Sequence, residues 1–258
     1  MTNKIKFKII NNNFVDLIDK LDDLTKIDDT IKMKIDNDNI LIYSMMRSGQ
    51  TILAFKNYLL NTRDYLEYDE IDQLYDIIIV NSKKLVKNLN FIKLSDRINF
   101  EISYKESQDD DNIMCARSIL FTGGKLKVNW LSGEHYEMRD MNKEILNKKL
   151  DIKYRKWFFN ISQSDFSDVK KLSNINGERV ITISVDDGKV TLSEKSSWEL
   201  EIDSIDKRTT SLILNKKFLN SINNDSDNVE FSIFDNFMLV QNENSNLMLS
   251  FEQNFDQD

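Results

Sequence analysis

The sequence predicts an α+β protein made of two tandem copies of one unit, and three observations predict it. The first is an internal repeat: Phe166–Leu192, FSDVKKLSNINGERVITISVDDGKVTL, has a counterpart in Phe14–Ile42, FVDLIDKLDDLTKIDDTIKMKIDNDNILI. The second is the alternation, in both halves, of short helix-period segments with β-branched runs bounded by Asn, Asp and Gly turns. The third is a polar, strongly charged stretch between the halves, SGEHYEMRDMNKEILNKKLDIK, which reads as a connector. On these grounds residues 1–133 form the first domain, 134–153 the connector and 154–258 the second domain.

In chain order, Lys4–Ile10 alternates as a strand, and Asn11–Asn13 can cap a helix over Phe14–Leu24. Phe14, Leu17, Ile18, Leu21 and Leu24 share one face of that helix. Strands follow at Thr30–Ile35, Ile40–Met46 and Gln50–Tyr58, then a polar, acidic connection at Asn61–Asp72. Tyr75–Val80 is the next strand and Ser82–Ile92 the next helix. Ile98–Tyr104, Ile113–Phe121 and Lys125–Trp130 close the half, the last two joined through a TGG turn.

The second half repeats this plan. Arg155–Ser162 is a strand, Ser164 or Asp165 a candidate cap, and Phe166–Ile175 a helix. Val180–Val185 and Lys189–Ser193 form a hairpin around DDG, followed by strands at Ser197–Ile202 and Thr210–Leu214. A helix is expected over Lys216–Asn223, then strands at Val229–Phe234, Phe237–Gln241 and Leu247–Phe251. The copies align residue by residue. Ile31, Met33, Ile35, Ile40 and Ile42 match Ile181, Ile183, Val185, Val190 and Leu192 at a constant offset of 150. Phe14 matches Phe166 after a two-residue gap, Asn81 matches Asn215, and DRINFEI resembles DNVEFSI.

Composition narrows the class. With 258 residues, 40% hydrophobic and 30% charged, the chain can bury two cores. No apolar run nears the roughly 18 residues that span a bilayer, so no membrane partner is expected. MTNKIKFKIINNN has no uninterrupted apolar region, so no signal peptide is expected either. A single cysteine, Cys115, suits a reducing compartment. The net charge of −8 leaves nucleic-acid binding open, because the placement of the lysines decides it.

Catalytic chemistry finds no support in the residues, and no cofactor or metal is expected. His135 stands alone in the connector, and Cys115 lies in a strand. Asp109–Asp111 is a loop run without the spacing of a ligand array. Gly123-Gly124-Lys125 precedes a strand and lacks an upstream phosphate-loop glycine, and Asp186-Asp187-Gly188 is a hairpin turn. The reading is of a non-enzyme.

The helix faces carry the binding signal. At 100° per residue, Leu85, Val86, Leu89 and Ile92 oppose Lys83, Lys84 and Lys87. Phe218, Leu219 and Ile222 oppose Lys216, Lys217 and several asparagines. Phe166, Val169 and Leu172 are expected to pack, with Lys171 pointing away and Lys170 on a flank. Lysines so placed suit contact with phosphates, which positions a protein without reading bases. The first helix departs from this, with Asp16, Asp19, Asp22 and Asp23 expected on its exposed face.

The ordered duplication, together with FSDVKKLSNINGERVITISVDDGKVTL, NSKKLVKNL and the C-terminal NLMLSFEQ, resembles the DNA sliding clamp family. Within it the chain resembles the T4-like phage clamp, with proliferating cell nuclear antigen as the cellular relative. The resemblance covers essentially the whole chain and implies helices on one face of antiparallel sheet. It implies a homotrimeric ring around duplex DNA, gripped without regard to sequence, in the cytoplasm of an infected host cell. It implies a tethered DNA polymerase and a clamp-loader ATPase as partners, with Lys83, Lys84, Lys87, Lys170, Lys171, Lys216 and Lys217 toward the DNA. SMMRSGQTILAF resembles the segment that supplies a pocket methionine, which places Met45 in a partner site with Leu249, Phe251 and Phe255. Two alternatives stay open: a clamp-like viral transcription factor that links DNA to RNA polymerase, and a duplicated scaffold that binds proteins only.

Overall fold

Five apolar residues at helical spacing build the first helix. Phe14, Leu17, Ile18, Leu21 and Leu24 are each no more than 4% exposed, and all join one core. The helix, α1 (Asn11–Leu24), begins earlier than the sequence suggests, because Asn11–Asn13 form its first turn and Ile10 is the N-cap residue. Asn13 donates instead to the carbonyl of Asp64, tying that turn to the next helix. The computed structural model describes residues 3–49, 51–107, 112–134, 138, 151–175, 179–194, 197–203, 209–222, 227–242 and 244–251.

The first unit comprises residues 1–45 and 56–140. Around α1 it holds β1 (Asn3–Ile9), β2 (Thr30–Ile35), β3 (Asn39–Ser48), β4 (Thr51–Asn61), α2 (Thr62–Tyr65), β5 (Leu66–Glu67) and β6 (Leu74–Val80). It is completed by α3 (Ser82–Leu89), β7 (Ile98–Glu106), β8 (Ile113–Gly123) and β9 (Leu126–Leu131). The strands run in the order β4-β3-β2-β6-β8-β7-β1-β5, antiparallel except for β6 with β8, and β9 adds to β8. α2 and β5 fall in the segment that composition marked only as a polar connection.

The second unit comprises residues 46–55 and 141–258, so the tip of the β3–β4 hairpin belongs to it. Its elements are β10 (Trp157–Ser162), α4 (Gln163–Ile175), β11 (Val180–Asp186), β12 (Lys189–Glu194), β13 (Trp198–Asp203) and β14 (Thr210–Asn215). A 3-10 helix (Lys216–Ser221) leads to β15 (Asn228–Ile233), β16 (Phe237–Asn242) and β17 (Ser245–Ser250). One sheet runs β13-β12-β11-β14, and the other runs β10-β15-β16-β17.

The two units share strand register as well as element order. In the first hairpin Met33 faces Ile42 and Ile35 faces Ile40; in the second Ile183 faces Leu192 and Val185 faces Val190. Phe7 lies opposite Phe100 with the rings stacked at 5.8 Å, and Phe159 lies opposite Phe231 at 4.9 Å. The turns of the two hairpins differ. Asp187 and Gly188 take positive φ, as a two-residue hairpin turn requires. The first turn is held by the Asp36 carboxylate, which accepts from the backbone N–H groups of Asp38 and Asn39. Asn81 and Asn215 are both N-cap residues, yet Asn215 takes the ladder position of Val80, one residue out of step.

Each unit lays its helices on one face of its sheet. In the first, Leu85, Val86, Leu89 and Ile92 pack into the same core as α1 and the inward residues of the strands. In the second, the Phe166 ring meets Phe231 edge-on at 5.6 Å, and α4 packs beside the 3-10 helix. No helix among the described residues is long and apolar enough to cross a membrane.

Candidate nucleic-acid interface

α3 is short, and its position depends on a partner outside it. Asn81 enters at φ 53° and offers the helix no side-chain cap. Asp29, from the α1–β2 loop, supplies it instead: its Oδ1 accepts from the Lys83 N–H at 2.8 Å and the Ser82 hydroxyl at 3.1 Å. A carboxylate there also meets the positive end of the helix dipole. The buried Leu85, Val86 and Leu89 fix the rotation of the helix, which leaves Lys83, Lys84 and Lys87 exposed. Their ammonium groups make no hydrogen bond or ion pair among the described residues. Three adjacent cations without a counter-ion form a ready surface for an anionic backbone.

The acidic face of α1 is smaller than its sequence suggests. Asp19 and Asp22 are exposed, but Asp23 is 4% exposed, which corrects the expectation that it faces solvent. Its carboxylate is salt-bridged to the buried Lys56, accepts from the Tyr58 hydroxyl at 2.5 Å, and pairs with Lys26 at 3.0 Å. A helical wheel built from α1 alone cannot register a lysine delivered by β4. Asp16 is half-buried, bonded to Lys20 and to the Tyr65 hydroxyl. Burial and that carboxylate push the Tyr65 phenol well above its ordinary range.

The lysines of the second unit divide by what they touch. Lys170 donates to the Ile222 carbonyl and lies 4.8 Å from the Phe166 ring centroid. Lys216 donates to the Ser173 carbonyl at 2.7 Å and to Glu194, a buried carboxylate, at 2.9 Å. Lys170 ties α4 to the end of the 3-10 helix, and Lys216 ties the 3-10 helix to α4 and β12. Lys171 is exposed and paired with Asp168 at 2.9 Å, one turn back along α4. Lys217 is exposed, with its ammonium 5.6 Å from the Phe218 ring centroid and 3.9 Å from the Met46 sulfur.

Three local expectations change. Leu172 is 39% exposed, and Ser173 is buried in its place on α4. Neither Ser164 nor Asp165 is the cap: Ser162 is, with its Oγ accepting from the Asp165 N–H at 3.1 Å and donating to the Asp165 carboxylate at 2.6 Å. The last helix is a 3-10 turn rather than an α-helix, although Phe218, Leu219 and Ile222 are buried as the spacing implies.

Of the residues assigned to a partner site, Met45 is 8% exposed, on the sheet face away from the helices with Tyr43. Leu249 is fully buried opposite Met238, and Phe251 is half-buried. Phe255 lies outside the described residues. So does His135. Among the described residues no group of three or more His, Cys, Asp or Glu side chains could hold a metal ion.

Two units with helices on one side of antiparallel sheet and a repeated register define a duplicated clamp-like architecture. The sequence matches no family model and no curated protein, so the likeness rests on solved structures. The beta chain of DNA polymerase III from Streptococcus pneumoniae superposes with a TM-score of 0.65 at 11% identity, over 100% of this chain and 67% of that one. The Helicobacter pylori beta clamp, solved bound to a DNA ligase peptide, gives 0.64 at 13% identity over 98% and 68%. Proliferating cellular nuclear antigen from Entamoeba histolytica gives 0.61 at 16% identity over 97% and 98%. The chain spans about two thirds of the length of the bacterial beta subunits, at 66%, 67% and 64% for three of them. It has the DNA sliding-clamp fold.

Proposed function

We propose that this chain is a DNA sliding clamp, a processivity factor that encircles duplex DNA as a homotrimeric ring and tethers a replicative DNA polymerase. The observation that carries the reading is the face of α3, where Lys83, Lys84 and Lys87 stand exposed on the helix side of a clamp fold without a counter-ion among the described residues. Contacts of that kind bind the phosphate backbone loosely and without sequence preference, as sliding demands. Lys171 and Lys217 are the second unit's contributors, while Lys170 and Lys216 serve its internal packing. The protein works by holding, not by chemistry. A clamp-loader ATPase opens the ring, and the phage type places it inside an infected host cell. Partners dock near the end of β17, where Phe251 is half-exposed.

Loading onto nicked circular DNA, followed by linearisation, tests this. The wild-type chain is expected to stay on circles and to run off linear ends. The triple variant Lys83→Glu, Lys84→Glu, Lys87→Glu is expected to leave circles faster while its fold survives. Equal retention on circles and linear DNA would sink the clamp reading.

A further inference from the structure

The first unit has a second basic surface, on the side of its sheet away from α3. Phe7, Phe100 and Phe121 stack in the core, so the residues between such inward positions on β1, β7 and β8 turn away from the helices. On β1 those are Lys4, Lys6 and Lys8, all exposed. Lys105 near the end of β7, Arg117 at the β8 bulge and Lys127 on β9 add three more exposed cations. Among the described residues of these strands, six cations thus share a face with two carboxylates, Glu101 on β7 and Glu67 on β5. The chain as a whole has a net charge of −8.

The repeat shows that the strands do not need these lysines to fold. Aligned through Phe7 and Phe159, Lys6 and Lys8 correspond to Phe158 and Asn160 of β10. Aligned through Phe100 and Phe231, Glu101 corresponds to Ser232 of β15. Lysines on outer strands also guard against unwanted edge pairing. Yet β10, which ends the strand order of its own sheet, does without them at these two positions. The array belongs to the first unit alone, as a binding surface does and a folding requirement does not.

The face already seats carboxylates. Glu101 lies between two lysines, 2.7 Å from Lys4 and 3.4 Å from Lys6, and Glu67 lies 2.6 Å from Lys8. The Lys4 hydrogen bond, against a smaller effect of burial, and the Lys6 charge hold the Glu101 carboxyl below the ordinary carboxylate range. The Lys6 side chain is still 75% exposed, and Lys105, Arg117 and Lys127 make no ion pair among the described residues. Alternate residues of a strand stand about 7 Å apart, which is also the spacing of alternate carboxylates along an extended acidic chain. Between the cations β7 and β8 present Asn99, Ser103, Ser118 and Thr122, with no aromatic ring on which a base could stack.

We infer that this face docks an acidic segment of another protein, an extended chain rich in Asp and Glu whose carboxylates enter among Lys4, Lys6 and Lys8 and reach Lys105 and Arg117. The net negative charge of the whole chain repels such a segment elsewhere, which steers it to the one face of opposite sign on this side of the sheet. Each contact is exposed and individually weak, so binding rests on several pairs together and falls as salt rises. The surface is separate from the α3 lysines, and its test needs no ring and no DNA.

Fluorescence anisotropy of a short labelled poly-glutamate peptide tests it, on the full chain carrying Lys83→Glu, Lys84→Glu and Lys87→Glu so that the α3 face cannot compete. That protein is expected to bind the peptide in low salt and to release it as salt rises. Adding Lys6→Gln, Lys105→Gln and Arg117→Gln should weaken binding by about tenfold, with far-UV circular dichroism unchanged. Adding Glu101→Gln instead removes the competing carboxylate and should strengthen binding by about threefold, a gain that misfolding cannot produce. No binding in low salt, no loss with the three neutralising changes, or no gain with Glu101→Gln overturns the proposal. Tighter binding of labelled oligothymidylate, lost with the same three changes, would make the face a nucleic-acid surface and overturn it as well. So would a low-salt self-association abolished by those changes, which would make the occupant a second copy of this chain. Lost DNA retention by the wild type with peptide binding intact would count against the clamp function and leave this surface standing.

Discussion

The Lys56 ammonium is salt-bridged to the Asp23 carboxylate where both side chains are nearly out of water, 2% and 5% exposed. Asp23 is further held by the Tyr58 hydroxyl and by Lys26, so its oxygens are well supplied with donors. Removing one partner of such a pair strands a charge in the interior, which costs about 3–5 kcal/mol. Asp23→Ala should lower stability by that order in urea titration of the isolated chain. Lys56→Met should cost less, because Asp23 keeps Lys26 and Tyr58. An equal loss in both would show that the pair acts only through its packing.

The same carboxylate sets an acid limit. Burial pushes the Asp23 pKa up, but the Lys56 charge and the hydrogen bonds from Lys56, Tyr58 and Lys26 together hold it below the ordinary value. Burial wins for Lys56, whose amine is also held below its ordinary range. A folded pKa below the unfolded one means that Asp23 contributes stability above about pH 4 and loses it as pH falls through the folded value. The stability gap between wild type and Asp23→Asn should therefore be full at neutral pH and close in strong acid. A gap that persists at the lowest pH would remove Asp23 from the acid transition.

Lysines that look alike in sequence should separate by assay. Lys216→Met leaves the Glu194 carboxylate, fully buried, without its cation and should destabilise by about 3–5 kcal/mol. Lys84→Met and Lys87→Met, on exposed positions, should shift stability by about 0.5 kcal/mol or less. In DNA binding the order should invert, with each α3 lysine reducing the salt slope by about one unit. Thermal melts and salt titrations on the same variants check both halves.

Asp29 should matter beyond its own loop. Asp29→Ala removes the acceptor for the Lys83 N–H and the Ser82 hydroxyl, at a cost of about 1 kcal/mol. Asp29→Asn keeps an oxygen there and should recover most of it. Because the cap orders the first turn of α3, DNA retention should fall with Asp29→Ala even though no lysine is altered. Retention equal to wild type in a destabilised Asp29→Ala chain would separate the cap from the binding face.

Much of this fold is legible locally because its signals are short-range. Period-3.6 spacing in Phe14–Leu24 and Leu85–Ile92 gives helices, and alternation gives the hairpins at Ile31–Ile42 and Ile181–Leu192. The constant offset between those hairpins even carries their register, since Met33 with Ile42 and Ile183 with Leu192 pair in the same way. The exposed lysines of α3 follow from the same periodicity, because the buried residues alone fix the helix rotation.

The sequence by itself thus determined the two tandem units, their core residues and the basic face of α3. Tertiary structure decided which charges are spent inside the protein. Asp23 is drawn in by Lys56 of β4, Lys216 by Glu194 of β12, and Lys170 by a carbonyl beyond the 3-10 helix. It also decided that Asp29 caps α3 and that, among the described residues, β9 and β13 are edges. The physical reason is common to all of these. A side chain's periodicity reports the face it occupies, but its partner is set by strands distant in sequence, and a charge keeps its apparent solvent face only until folding brings its counter-ion to it.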